Sequence, residues 1–133
     1  HRGWPIEDYL SRDHPLQQSI VTVFEDLTGG PIAVHAVDGC GAPLLSTSLM
    51  GLARAFRTLA VATGGASQRV AEAIRRHPTT VSGTRRDEAA LLTALPGAIG
   101  KLGAEACYVV ALPDGGVTPF GKSAKGVGEV VRS

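Results

Sequence analysis

An acid and a thiol stand two residues apart in Val37-Asp38-Gly39-Cys40-Gly41-Ala42-Pro43. In an extended chain, positions i and i+2 fall on one side, so this spacing sets the Asp38 carboxylate beside the Cys40 thiol. Gly39 and Gly41 allow positive φ and let the backbone come close to a ligand. A strand that delivers an acid and a thiol into a glycine turn can build a binding site. The same residues also fit a tight turn around a buried structural thiol. Ser46, Thr47 and Ser48 follow. A nucleophilic serine of the Ser-x-x-Lys kind needs a lysine three residues on. Ser46 is followed by Leu49 and Ser48 by Gly51, so these residues read as helix caps. His14, alone at a helix start, reads as structural rather than catalytic.

The elements that must position these residues follow from patterning. Residues 32–38 form an apolar, β-branched strand with Val34 and Val37 buried, and Asp38 and Cys40 emerge where it stops. Before it, residues 14–27 form a helix with Leu16, Ile20, Val23, Phe24 and Leu27 on one face. Asp13 is its expected cap, Pro15 suits its first turn, and Gly29-Gly30 end it. After it, residues 48–62 form a second helix with Leu49, Leu52, Ala53, Phe56 and Leu59 or Ala60 inward. Ser67 caps a third helix over 68–76, with Val70, Ala71 and Ile74 inward, and His77-Pro78 ends it. Residues 79–84 read as extended or loop. A fourth helix spans 87–95, with Leu91, Leu92 and Leu95 inward, Asp87 as cap and Glu88 suited to the positive helix end. Residues 98–104 read as a glycine-spaced connector. Residues 105–112 form a buried strand, Pro113-Asp114-Gly115-Gly116 a turn, and 117–120 a returning strand. Residues 121–133 read as a frayed helix or loose tail. Trp4 and Tyr9 are expected to pack as apolar anchors.

Composition narrows the classes. The 133 residues fit one domain or part of a larger one, and 44% hydrophobic content against 19% charged is enough to fold. With 13 basic and 12 acidic residues and no basic tract, nucleic-acid and membrane-surface binding are not expected. No apolar run reaches the roughly 18 residues of a membrane span. No signal peptide is legible, and the first residue is His1 rather than Met, which suggests that an authentic start lies elsewhere. Cys40 and Cys107 read as two thiols in a cytoplasmic setting, Cys107 most simply in the core.

Val37-Asp38-Gly39-Cys40-Gly41-Ala42-Pro43, then Ser48-Leu49, Leu52-Ala53 and Phe56, resembles the asparaginase II family of amidohydrolases, which is related in fold to serine β-lactamases and glutaminases. Upstream, Gly3-Trp4-Pro5, Tyr9 and Asp13-His14-Pro15-Leu16-Gln17 match in order. Downstream, His77-Pro78, Val81, Gly83, Arg86-Asp87 and Gly103-Ala104-Glu105 continue the match. The resemblance implies an α+β, β-lactamase/transpeptidase-like fold, with helices on a small, mostly antiparallel sheet built from 32–38, 105–112 and 116–120. It implies hydrolysis of the side-chain amide of L-asparagine to L-aspartate and ammonia, a reaction that needs a nucleophile, a base and an oxyanion stabiliser.

In that family the nucleophile is a serine assisted by lysines in an N-terminal half, and a Cys-Ser-Gly-Lys-His motif supplies further zinc ligands. Neither motif occurs here. The chain thus resembles the C-terminal portion of such a protein, inactive and weak in zinc binding by itself. The alternative is a non-catalytic module that binds a small amino acid or a metal. By resemblance, Asp38 holds the substrate ammonium or orients a neighbour, Cys40 is a zinc ligand, and Arg86, Asp87 and Glu105 contact substrate or brace loops. The late catalytic lysine has Lys122 as its nearest counterpart. Glu88 stands where the family has a small hydroxylated residue. A homodimer is compatible with the resemblance.

Overall fold

The computed structural model describes residues 2–103, 107–121 and 129–130. The first helix, α1, runs Pro15–Thr28. Pro15 fixes its first turn, so the cap falls on His14 rather than Asp13. His14 Nδ1 accepts from the Leu16 N–H at 3.1 Å, and Nε2 donates to the Pro5 carbonyl at 2.9 Å. The ring is buried and meets Trp4 edge-on. His14 therefore ties the entry segment to the helix. Tyr9, expected as an anchor, is half exposed. Gly29 ends the helix in the left-handed region, φ 73°, with its N–H on the Glu25 carbonyl.

The expected inner face of α1 is only partly inward. Ile20 and Val23 are exposed, and with Ser19, Phe24 and Leu27 they line an apolar groove of about 350 Å³. Helix α2 (Leu49–Ala60) packs instead near Thr28, where Gly51 gives room. A Cβ at Gly51 would collide with Thr47 Oγ1 and sit 3.3 Å from Thr28 Cβ. Ser48 caps α2 as expected, its Oγ accepting from the Gly51 N–H at 3.0 Å.

Between these helices, β1 (His35–Val37) pairs antiparallel with β2 (Pro43–Leu45) as an isolated hairpin. This corrects the expectation of one sheet shared by 32–38 and 105–112. Closing a short loop on the adjacent 43–45 segment costs less chain entropy than reaching a strand far along the sequence. Val34 and Val37 are exposed, not buried.

Helix α3 spans Gly65–Arg76 and starts earlier than expected, with Gly64 at the cap and no side-chain cap from Ser67. Ala71 is fully buried, Ile74 packs on the core and Val70 faces out. Residues 79–84 are not extended: α4 (Pro78–Ser82) is a single helical turn, begun by the fixed φ of Pro78. Helix α5 (Asp87–Ala94) follows. Its cap position is Arg86, without a side-chain cap, rather than Asp87. Leu92 is buried, while Leu95 lies just past the helix and is exposed.

The main sheet is an antiparallel meander in the order β3 (Ile99–Leu102), β4 (Tyr108–Ala111), β5 (Val117–Gly121), β6 (Glu129–Val130). Strand β3 replaces the expected connector. Its Gly100 is needed there, since a Cβ would stand 3.0 Å from the Val109 carbonyl oxygen and 3.4 Å from Leu92. The turn at 113–116 and the return of β5 are as expected. Within 121–133, Gly121 ends β5 and residues 129–130 form β6, a strand where a frayed helix or loose tail was expected. Helix α2 lies over the sheet. Ala53, Ala60 and Ala71 pack on Ile99, Val109, Ala111 and Val117, with Leu52, Phe56, Leu59 and Ile74 around them. Small alanines let helix backbones approach the sheet, and Ile99 fills the centre. The architecture is α+β, with five helices and two small antiparallel sheets among the described residues.

Candidate active site

The Asp38–Cys40 turn is the tip of the β1–β2 hairpin. The Asp38 N–H donates to the Ala42 carbonyl at 2.8 Å, and the Gly41 N–H to the Asp38 carbonyl at 2.9 Å. Gly41 takes φ 83°, which closes this turn and favours glycine. Asp38 Oδ1 accepts from the Gly39 N–H at 2.7 Å, which fixes the carboxylate plane. Its other oxygen, Oδ2, lies 3.7 Å from Cys40 Sγ, within reach of a weak S–H donor. The spacing thus brings acid and thiol together as expected. Cys40 is exposed, which removes the reading of a buried structural thiol. At the base of the hairpin, Val34 N–H donates to Ser46 Oγ at 2.8 Å, so Ser46 holds the hairpin rather than capping a helix. His35, Pro43 and Leu45 face Arg12, Asp13, Gln17 and Gln18 across a polar groove of about 370 Å³.

Cys40 and Asp38 offer two donors, and zinc takes at least three protein ligands. Among the described residues no group of three or more His, Cys, Asp or Glu side chains is placed to hold a metal ion.

Arg86 and Asp87 lie elsewhere, at the start of α5. Arg86 lines a groove of about 410 Å³ with Ser82, Lys101, Leu102 and Gly103, and no hairpin residue takes part. Asp87 lines a neighbouring groove with Thr79, Thr84 and Arg85. Glu105 and Lys122 lie outside the described residues.

Sequence reasoning missed the polar cluster beneath Arg86. Glu88 is only 1% exposed. Its Oε1 accepts from the Leu102 N–H at 2.8 Å, while Oε2 is buried without a hydrogen bond, 3.8 Å from Lys101 Nζ. Lys101 Nζ donates to Ser82 Oγ at 2.8 Å. The Tyr108 hydroxyl is buried nearby without a partner among the described residues. Burial pushes this phenol above its ordinary value, and the charges of Glu88 and then Asp87 push it further. One signal was available. Glu88, Leu91, Leu92 and Leu95 follow i, i+3, i+4, i+7 spacing, so Glu88 sits on the inward stripe of α5.

No described helix is long and apolar enough to cross a membrane. Comparison with curated proteins gave no match. A family model described as L-asparaginase II matches residues 1–131. That match runs through the Asp38–Cys40 turn, α5 and the main sheet, and on it the chain belongs to the L-asparaginase II family of asparaginase-like amidohydrolases.

Proposed function

We propose that this chain supplies the substrate-contacting turn of an amidohydrolase that converts L-asparagine and water to L-aspartate and ammonia, with the serine nucleophile coming from residues beyond this sequence. The observation that carries the reading is the Asp38–Cys40 pair, held side by side and exposed at a hairpin tip within a family match over 1–131. Asp38 binds the substrate ammonium or orients a neighbouring ligand. Cys40 provides one ligand to a zinc ion whose other ligands lie outside this chain. Arg86, Asp87 and Glu105 contact substrate, and Lys122 takes the place of the late lysine. The chain forms one domain, the C-terminal portion of a β-lactamase/transpeptidase-like fold. An antiparallel sheet under α2 supports that layout. Free thiols at Cys40 and Cys107 support a cytoplasmic setting. A homodimer is compatible with this reading.

The absence of Ser-x-x-Lys from the sequence favours one second reading, a non-catalytic module that binds a small amino acid or a metal. Ammonia release separates the two. The chain alone should release none from L-asparagine. Combined with a polypeptide that bears Ser-x-x-Lys and Cys-Ser-Gly-Lys-His, it should support turnover. Release by the chain alone would end the proposed division of labour, and no release from the combination would favour the module.

A further inference from the structure

We propose that the groove between α4 and the end of β3 binds a small monocarboxylate, held by Arg86, Lys101 and Ser82. An ammonium has three N–H bonds, and Lys101 spends two, on Ser82 Oγ at 2.8 Å and on the Leu102 carbonyl. Glu88 Oε2 at 3.8 Å is too far to take the third. Ser82 Oγ accepts from Lys101, which leaves its own O–H as a donor. Arg86 makes no ion pair and no side-chain hydrogen bond among the described residues, so its planar fork is uncommitted. All three side chains line one groove of about 410 Å³, room for a molecule of amino-acid size.

Glu88 explains why these donors stay in place. Its buried carboxylate is fastened to the Leu102 N–H and sits behind Lys101 as a fixed counter-charge. Lys101 is therefore drawn toward the groove floor while its head remains half exposed. Among the described residues the charges of Lys101 and Glu88 offset each other, and Arg86 adds one positive charge to the groove lining. One net charge and a planar fork suit a monocarboxylate better than a dianion such as phosphate, which would face the Glu88 carboxylate from close range. The assignment does not rest on the amidase reading, because binding is read without turnover.

The test is a titration of the ¹⁵N-labelled full chain with sodium propionate at constant ionic strength, with inorganic phosphate as the comparison. Saturable shifts are expected at the backbone amides of Gly83, Arg86, Lys101 and Leu102. Arg86→Gln changes an exposed side chain that makes no hydrogen bond or ion pair among the described residues, and should weaken propionate about tenfold. Lys101→Met alone would strand the buried Glu88 charge and risks unfolding. The Lys101→Met, Glu88→Gln pair avoids that and should also weaken propionate about tenfold, with unchanged affinity in it overturning the role of Lys101. Absence of saturable shifts in the parent chain would overturn the proposal. So would unchanged propionate affinity in Arg86→Gln, or phosphate binding as tightly as propionate.

Discussion

Replacing Glu88 separates its hydrogen bond from its charge. Glu88→Ala removes the acceptor of the Leu102 N–H, a charge-assisted bond worth about 1.5–3 kcal/mol. It also removes the carboxylate beside Lys101. That pair is 3.8 Å apart with a half-exposed lysine, so screening keeps its share below about 1 kcal/mol. Truncation further leaves a small void beside Leu92 and Ala89 on the buried face of α5. The expected loss is about 2–3 kcal/mol, a large part of a total stability of roughly 5–15 kcal/mol. Glu88→Gln keeps an oxygen for the Leu102 N–H. It removes a buried charge whose second oxygen has no hydrogen bond. The losses and gains nearly cancel, and Glu88→Gln should stay within about 1 kcal/mol of the parent. Urea unfolding, with midpoint and slope both recorded, measures the difference. If Glu88→Gln falls as far as Glu88→Ala, the charge and not the hydrogen bond holds this corner, and the reasoning is refuted.

Other expectations concern single contacts. Gly51→Ala should lower the melting temperature: overpacking against Thr47 and Thr28, about 1–3 kcal/mol, outweighs a helix-propensity gain of about 1 kcal/mol. A rise would show that α1 and α2 have slack there. Ser48→Ala should cost about 1 kcal/mol in urea unfolding through loss of the α2 cap, and Ser46→Ala, whose bond from Val34 is exposed, about half that. Tyr108 is an acid whose pKa is raised on folding, so the folded state holds its proton more tightly than the unfolded chain. Its contribution is whole below pH 10 and is lost as pH rises from there through the folded value. Tyr108→Phe should flatten the fall in stability above pH 10 while leaving pH 7 stability unchanged or higher, since the hydroxyl lacks a partner among the described residues. An identical alkaline fall in both proteins would assign it to other groups.

Helices α1, α2, α3 and α5 were legible because apolar spacing and their stops agree locally, whereas the single turn of α4 has no such stripe and read as extended or loop. Ser48 before Leu49 and Gly29 after Thr28 mark ends that depend on neighbours in sequence. Sheet membership was not legible, because it is decided by partners far away. Residues 32–38 look like a buried strand, yet within them His35–Val37 pair with Pro43–Leu45 and stay exposed. Residues 99–102 look like a connector because of Gly97, Gly100 and Gly103. They form a strand because Gly100 must admit the Val109 carbonyl. The Asp38–Cys40 pair was readable because a two-residue spacing is local. The Lys101–Ser82 contact was not, because it joins α4 to β3 across nineteen positions. Glu88 could have been found from helical spacing, but its partner Leu102 could not.

The central claim is that the Asp38–Cys40 turn contributes to amide hydrolysis. The measurement is the rate of ammonia release from L-asparagine by this chain combined with a polypeptide bearing Ser-x-x-Lys and Cys-Ser-Gly-Lys-His. It is made for the parent, Asp38→Ala and Cys40→Ala, with Ser46→Ala as the control on the same hairpin. The account predicts a fall of more than about tenfold for each of the first two, a loss of at least about 1.4 kcal/mol in transition-state stabilisation, and little change for Ser46→Ala. Full rates in both Asp38→Ala and Cys40→Ala would contradict it and leave the turn as a hairpin tip alone.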